Sequence, residues 1–281
     1  MKERILTTQL IKKFTEYLKS EEKSNNTISK YIRDIRAFAE YVCEKPITKE
    51  RVIGYKNKLL AENYAARSIN SMLASVNSLF SFLGWTECKT KAIRLQRQVY
   101  CSTEKELTKA EYLRLLSAAK QKQNARLNLL IQTICGTGIR VSELQFITVE
   151  AARKGEATVS LKGKTRTVLI VQALQKKLLH YAAEHNIKSG ALFITRNGRP
   201  MSRTNIWREM KNLCALADVD PRKVFPHNLR HLFARTFYGL EKDLAKLADI
   251  LGHSSINTTR IYIITNSSEH RKRMENMRLI L

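Results

Sequence analysis

The chain has 281 residues, 43% of them hydrophobic, which is enough for about two domains with real cores. Ten Gly and four Pro exclude collagen-like and linker-like chains. Fifty Lys and Arg stand against 25 Asp and Glu, a net charge of +25 that self-repels unless a polyanion neutralises it. Nucleic acid therefore leads the partner classes, with ribosomal or membrane-surface binding as the bland alternatives.

The charge is no tail. Residues 1–103 hold 19 basic and 10 acidic side chains, and residues 104–281 hold 31 and 15. Both halves are expected to touch the polyanion, because a basic arm would concentrate the excess. Five cysteines (Cys43, Cys88, Cys101, Cys135 and Cys214) are odd in number and form no CxxC pair, which supports neither a zinc ribbon nor a disulfide framework. Reduced thiols in a cytoplasmic protein fit best. The start, MKERILTTQL, lacks the apolar run of a signal peptide, and no stretch reaches about 18 apolar residues.

In chain order, residues 1–86 read as four helices. Leu10, Phe14, Tyr17 and Leu18 recur at helical spacing, then Ile28, Tyr31, Ile32, Ile35, Phe38, Ala39 and Val42. Val52, Tyr55, Leu59 and Leu60 make a third stripe, and Ile69, Leu73, Val76, Leu79, Phe80 and Phe82 a fourth. Pro46 is expected to stop the second helix. Residues 87–106 lack periodicity and are basic, and they read as an inter-domain linker. At Thr108 a capping box begins, Thr108-Lys-Ala-Glu111, opening a helix. An apolar helix from Ala125 to Cys135 ends at Gly136-Thr-Gly138, which lacks the GxxxxGK spacing of a phosphate loop. Alternation over Ala157–Leu161 and Thr167–Val171, flanking Lys162-Gly163-Lys164-Thr165-Arg166, predicts a β-hairpin with a short Gly-bearing turn. Ala191–Ile194 reads as a third short strand, and from about Arg203 the pattern is helical again.

Four segments of the second half resemble one family, the tyrosine recombinases, or phage-integrase (Xer-type) family. They are Gly136-Thr-Gly-Ile-Arg140-Val-Ser-Glu143-Leu144, the hairpin turn at Lys162, Pro226-His227-Asn-Leu-Arg230-His231, and Leu251-Gly-His253 followed nine residues later by Tyr262. Asn26-Thr27-Ile28-Ser-Lys-Tyr31 and Phe38 are similar to the family's core-binding domain. The resemblance implies a mainly α fold: a four-helix core-binding (SAM-like) domain at 1–86, a linker at 87–106, and an α+β catalytic domain with a small antiparallel sheet at 107–281. It further implies a site-specific recombinase of the simple Xer-type architecture, with no extra N-terminal arm-site domain. Such an enzyme cleaves and rejoins DNA through a 3′-phosphotyrosyl link, in chromosome-dimer resolution or mobile-element integration.

The chemistry agrees. Phosphoryl transesterification builds charge on non-bridging oxygens, which suits two guanidiniums, Arg140 and Arg230. His227 lies three residues before Arg230, so both project from one helix face. The family assigns His227 to hydrogen bonding or proton handling at that phosphate and places His253 beside the same oxygens. Tyr262 is the expected nucleophile. A phenol near pKa 10 needs cations to lower the cost of phenolate and a base to take the proton. The family uses its hairpin Lys as general acid on the leaving 5′-oxygen. Lys162 is favoured for that role here, with Lys164 as the alternative because the turn is one residue shorter than usual. Glu143 reads as a brace for Arg140, and His231 as a buried support.

The His227/His231 spacing fits zinc only superficially, since Asn228 stands where HExxH needs Glu, so neither a metal nor any other cofactor is expected. The expected partners are double-stranded DNA and three further protomers on two duplexes, identical or paralogous, with no membrane. Ile263-Ile264 and the missing hairpin Pro depart from many relatives and leave the subfamily open. The apolar end of the last nineteen residues (Met274, Met277, Leu279, Ile280, Leu281) must dock, either on its own domain or, as the family favours, on a neighbouring protomer. Two other readings are a topoisomerase of type IB and a helical DNA-binding regulator with idle catalytic residues.

Overall fold

The computed structural model describes residues 4–94, 106–161, 163–263 and 276. Lys162 and the C-terminal segment expected to dock therefore lie outside the described residues, and so does the side chain of Lys164. The chain divides into two compact units, Met1–Arg97 and Gln98–Leu281.

The first unit is a bundle of α1 (Thr8–Ser20), α2 (Asn25–Val42), α3 (Lys49–Ala61) and α4 (Ala66–Leu83). Thr7, Ser24 and Thr48 cap the first three helices by accepting from the amides of Leu10, Thr27 and Arg51. α2 ends at Cys43, which adopts the left-handed conformation, so the helix stops before Pro46 is reached. Phe14, Ile35, Phe38, Val52, Ile69, Val76, Leu79 and Phe80 form the dry centre. Two of its buried polar groups, Asp34 and Ser75, meet there. Asp34 accepts from Ser75 at 2.9 Å and pairs with Lys30 at 2.8 Å, tying α2 to α4.

Residues 87–94 are not free linker. The Asn77 side chain exchanges two hydrogen bonds with Thr90 (2.9 and 3.1 Å), and Asn70 does the same with Ile93 (2.9 and 2.7 Å). Two asparagine side chains of α4 mimic a strand partner and hold this stretch on the first unit, a pairing that hydrophobic periodicity does not register.

The second unit begins with α5 (Lys109–Gln121), whose capping box is complete: Glu111 N–H donates to Thr108 and Thr108 N–H to Glu111. Then come α6 (Ala125–Thr137) and α7 (Val149–Lys154). β1 (Glu156–Leu161) and β2 (Lys164–Leu169) pair antiparallel, from Glu156 opposite Leu169 to Leu161 opposite Lys164. Further on lie α8 (Gln172–Glu184), α9 (Arg203–Lys211), α10 (Cys214–Ala217), α11 (Pro226–Glu241), α12 (Leu244–Leu251) and α13 (Ile256–Arg260). Leu115, Leu130, Ile131, Ile134, Leu178, Ile206, Met210 and Leu229 build the core on which α6 and α11 pack.

Two expectations change. Ala191–Ile194 forms no third strand of the sheet; Ala191 and Ile194 make isolated bridges to Thr148 and Pro200. The second hairpin strand ends at Leu169, because Ile170 makes one last bond to Gly155 and Val171 already stands at the start of α8.

Candidate active site

The site is built where α6 ends, α11 begins, and the chain closes through α12 and α13. α6 stops at Gly138, left-handed at φ +64°, where a Cβ would stand 2.5 Å from the Phe233 ring. The Gly138 carbonyl accepts from Arg230 Nη1 at 2.5 Å, so the same turn that ends α6 tethers a guanidinium. Arg230 Nη2 donates to the Leu251 carbonyl and to His253 Nε2, both at 2.8 Å. Its Nε is buried and finds no partner among the described residues. Arg230 is only 1% exposed, whereas the Arg140 side chain is 39% exposed and reaches solvent. Burial and then Arg140 push Arg230 down to about 10, with Tyr262 opposing, so it stays cationic at neutral pH.

Arg140 sits just before a 3-10 turn, Val141–Phe146. Its amide and Nη1 both donate to Glu143, at 3.0 and 2.8 Å, and its Nη2 donates to the Gly252 carbonyl at 3.1 Å. Glu143 is also gripped by Arg166 Nη2 at 2.6 Å. Burial raises the Glu143 carboxyl, but the Arg140 amide and the Arg166 and Arg140 guanidiniums outweigh it and leave it below the usual range.

α11 carries His227, Arg230 and His231 on its first turns, with Pro226 at the opening position. Tyr262, 6% exposed, lies among three imidazoles. Its ring centre is 4.2 Å from His231, 5.5 Å from His227 and 5.4 Å from His253, the last nearly parallel at 18°. Burial, then neighbouring cations, pushes His253 down to about 4, and burial with His227 and Arg235 does the same to His231. His227 is lowered by desolvation and by Arg230, Arg203 and Arg140. All three are therefore neutral at pH 7, each with a lone pair able to take a proton. Asn228, between the two α11 histidines, donates to the Lys223 carbonyl. Among the described residues no three His, Cys, Asp or Glu cluster as metal ligands.

Arg140, His227, Arg230 and Tyr262 line one cleft of about 730 Å³. Two further lining residues went unread in the sequence: Arg203 and Trp207, four apart on α9. The available signal was a Trp beside the apolar Ile206/Met210 stripe of α9; it stands half-exposed, with Lys211 over its ring at 5.2 Å. Arg166 was missed as well. It shares the inward face of β2 with buried Val168, and an Arg at an inward strand position asks for a buried anion.

Residues 11–87 match the phage integrase N-terminal SAM-like domain, and residues 105–269 match the phage integrase family. A tyrosine recombinase, XerA of Pyrococcus furiosus, is 31% identical over all of this chain and 98% of its own. This chain belongs to the tyrosine recombinase family. It is a site-specific recombinase by class, mainly helical with a small antiparallel sheet. Tyrosine recombinase XerD of Vibrio cholerae is 27% identical over 90% of each chain. Among solved structures, a XerA recombinase is 26% identical with a TM-score of 0.54, over 98% of this chain and all of that one. XerH bound to its difH substrate shares the tyrosine recombinase fold at a TM-score of 0.69 and 20% identity, over 95% of this chain and 84% of that one. No helix among the described residues is long and apolar enough to cross a membrane.

Proposed function

We propose that this chain cleaves and rejoins duplex DNA with Tyr262 as nucleophile, as one of four protomers acting on two duplexes. The observation that carries the reading is the single cleft in which Arg140, Arg230, His227 and Tyr262 meet. Tyr262 Oη attacks a DNA phosphorus, its proton passing to a neutral imidazole, with His227 the assigned acceptor. Charge that builds on the non-bridging oxygens falls on Arg140 and on the unpaired Nε of buried Arg230. The P–O5′ bond breaks, and the oxygen takes a proton, the role assigned to Lys162 with Lys164 as the alternative. A 5′-hydroxyl from the partner duplex then reverses the step. One phosphodiester replaces another, so no external energy source is required.

Arg203 and Trp207 extend the cation-lined wall toward the backbone and bases of the same duplex. Glu143 and His231 serve as braces, the first for Arg140 and the second for the Tyr262 ring. The test is a duplex nicked beside the cleavage point. Tyr262→Phe should bind it normally and trap no covalent adduct; an adduct at normal yield would remove Tyr262 from the reaction. Exchange between two labelled duplexes tests recombination itself.

A further inference from the structure

We infer that Thr259 is a positioning residue for His253, whose hydroxyl lets the imidazole change from hydrogen-bond acceptor to donor when a phosphate enters. The inference rests on the reading of the site given above. Thr259 lies on α13, three residues before Tyr262, and is fully buried. Its Oγ1 stands 2.8 Å from His253 Nδ1, while Arg230 Nη2 stands 2.8 Å from His253 Nε2. A guanidinium has no lone pair to offer, so in this arrangement Nε2 must be bare and accepting. The ring proton is then on Nδ1, and Nδ1–H donates to Thr259.

A phosphate oxygen arriving beside Nε2 reverses the demand. It only accepts, so Nε2 must now carry a proton. One route is to charge the ring. Burial opposes charge most, and Arg230, Arg140, Arg166 and His227 oppose it further, which is why the ring is pushed down to about 4. The other route keeps the ring neutral and moves its proton from Nδ1 to Nε2, after which Nδ1 needs a donor. A backbone carbonyl behind Nδ1 would forbid this, because it cannot donate. A hydroxyl accepts in one state and donates in the other by rotating about its C–O bond. Thr259 is therefore suited to both tautomers, and it links the segment that bears the nucleophile to the imidazole beside the phosphate.

The experiment uses the full chain with Thr259→Val, which keeps the shape without the hydroxyl, and Thr259→Ser, which keeps the hydroxyl. Duplex affinity should be unchanged in both. Thr259→Val should slow single-turnover adduct formation roughly 10-fold, the scale of one hydrogen bond lost at the reacting site, and Thr259→Ser should restore most of it. Imidazole nitrogen NMR should place the His253 proton on Nδ1 in the free protein. In the complex of Tyr262→Phe with duplex it should lie on Nε2 with the ring still neutral. Normal cleavage by Thr259→Val, a Ser variant as slow as Val, or an Nε2 proton in the free protein would each overturn the inference. The spectroscopic test stands even if the Val variant fails to fold. If Tyr262→Phe still forms adducts, the reading of the site fails; if it does not and Thr259→Val is normal, only this inference falls.

Discussion

Glu143 is 3% exposed and holds two guanidiniums and one amide on its two oxygens. Glu143→Gln keeps the shape but leaves Arg140 and Arg166 without a buried counter-charge, which should cost about 3 kcal/mol. The sign follows from the direction of the shift. A carboxyl held below its ordinary value stabilises the fold above the unfolded value and loses that contribution as pH falls through the folded one. The gap in melting temperature between wild type and variant should be full at pH 7 and narrow below about pH 4.5; a gap constant down to pH 3 would contradict it. His231 and His253 act over a higher window. Both fall from 6.5 to about 4, so the unfolded chain binds their protons first, and stability should decline as pH drops below 6.5 and level off near 4. His231→Asn should flatten part of that decline in thermal unfolding followed from pH 7.5 to 4. Side chains such as Arg140, His227, Arg230 and Tyr262 were legible because their spacing matched a family motif. Thr259 and Arg166 were not, because each acts through a partner more than five residues away.

The β-hairpin shows why an element can be legible while its purpose is not. Alternation and Gly163 predicted it, but with five residues between the strands; Lys164 instead pairs with Leu161, so β2 starts three residues before the expected Thr167 and the turn is two residues long. What alternation does not reveal is that Arg166 reaches out of β2 to two other segments, donating to Glu143 at 2.6 Å and to the Ile250 carbonyl at 2.7 Å. Gly252, left-handed at φ +63°, is the counterpart: a Cβ there would strike the Arg166 side chain. One guanidinium thus locks the hairpin to the Arg140 corner and to the turn that carries His253. Arg166→Lys keeps the charge but cannot bridge both acceptors with a planar fork. It should lower adduct formation roughly 10-fold or more, the scale of one charge-assisted hydrogen bond, while duplex affinity holds, measured on the nicked duplex; unchanged cleavage would mean the lock is dispensable. α8 escaped the sequence reading for a local reason. The apolar run Val168–Val171 continues the strand pattern into the start of α8, which has no side-chain cap to announce it. α5, by contrast, was announced by Thr108 and Glu111.

At the scale of the whole molecule the charge is divided, with +9 on residues 1–97 and +16 on residues 98–281. Each unit has its own buried core, so each can present its basic surface independently of the other. That division makes salt dependence a measure of which unit grips the duplex. Each neutralised phosphate contributes about −0.9 to the slope of log affinity against log salt. The isolated segment 98–281 should therefore bind duplex with a shallower slope than the full chain, and the difference counts the phosphates held by the helical bundle. The variants separate grip from chemistry. Tyr262→Phe changes no charge and should keep the full slope, whereas removing two exposed cations of the bundle, such as Lys12 and Lys13, should reduce it only if those side chains meet phosphates. Fluorescence of half-exposed Trp207, read in a Trp85→Phe background, reports on the second unit alone and should respond to duplex in both the full chain and the segment. Equal slopes for the full chain and residues 98–281, with that signal intact, would mean that the first unit contributes no phosphate contacts and that its basic residues serve another end.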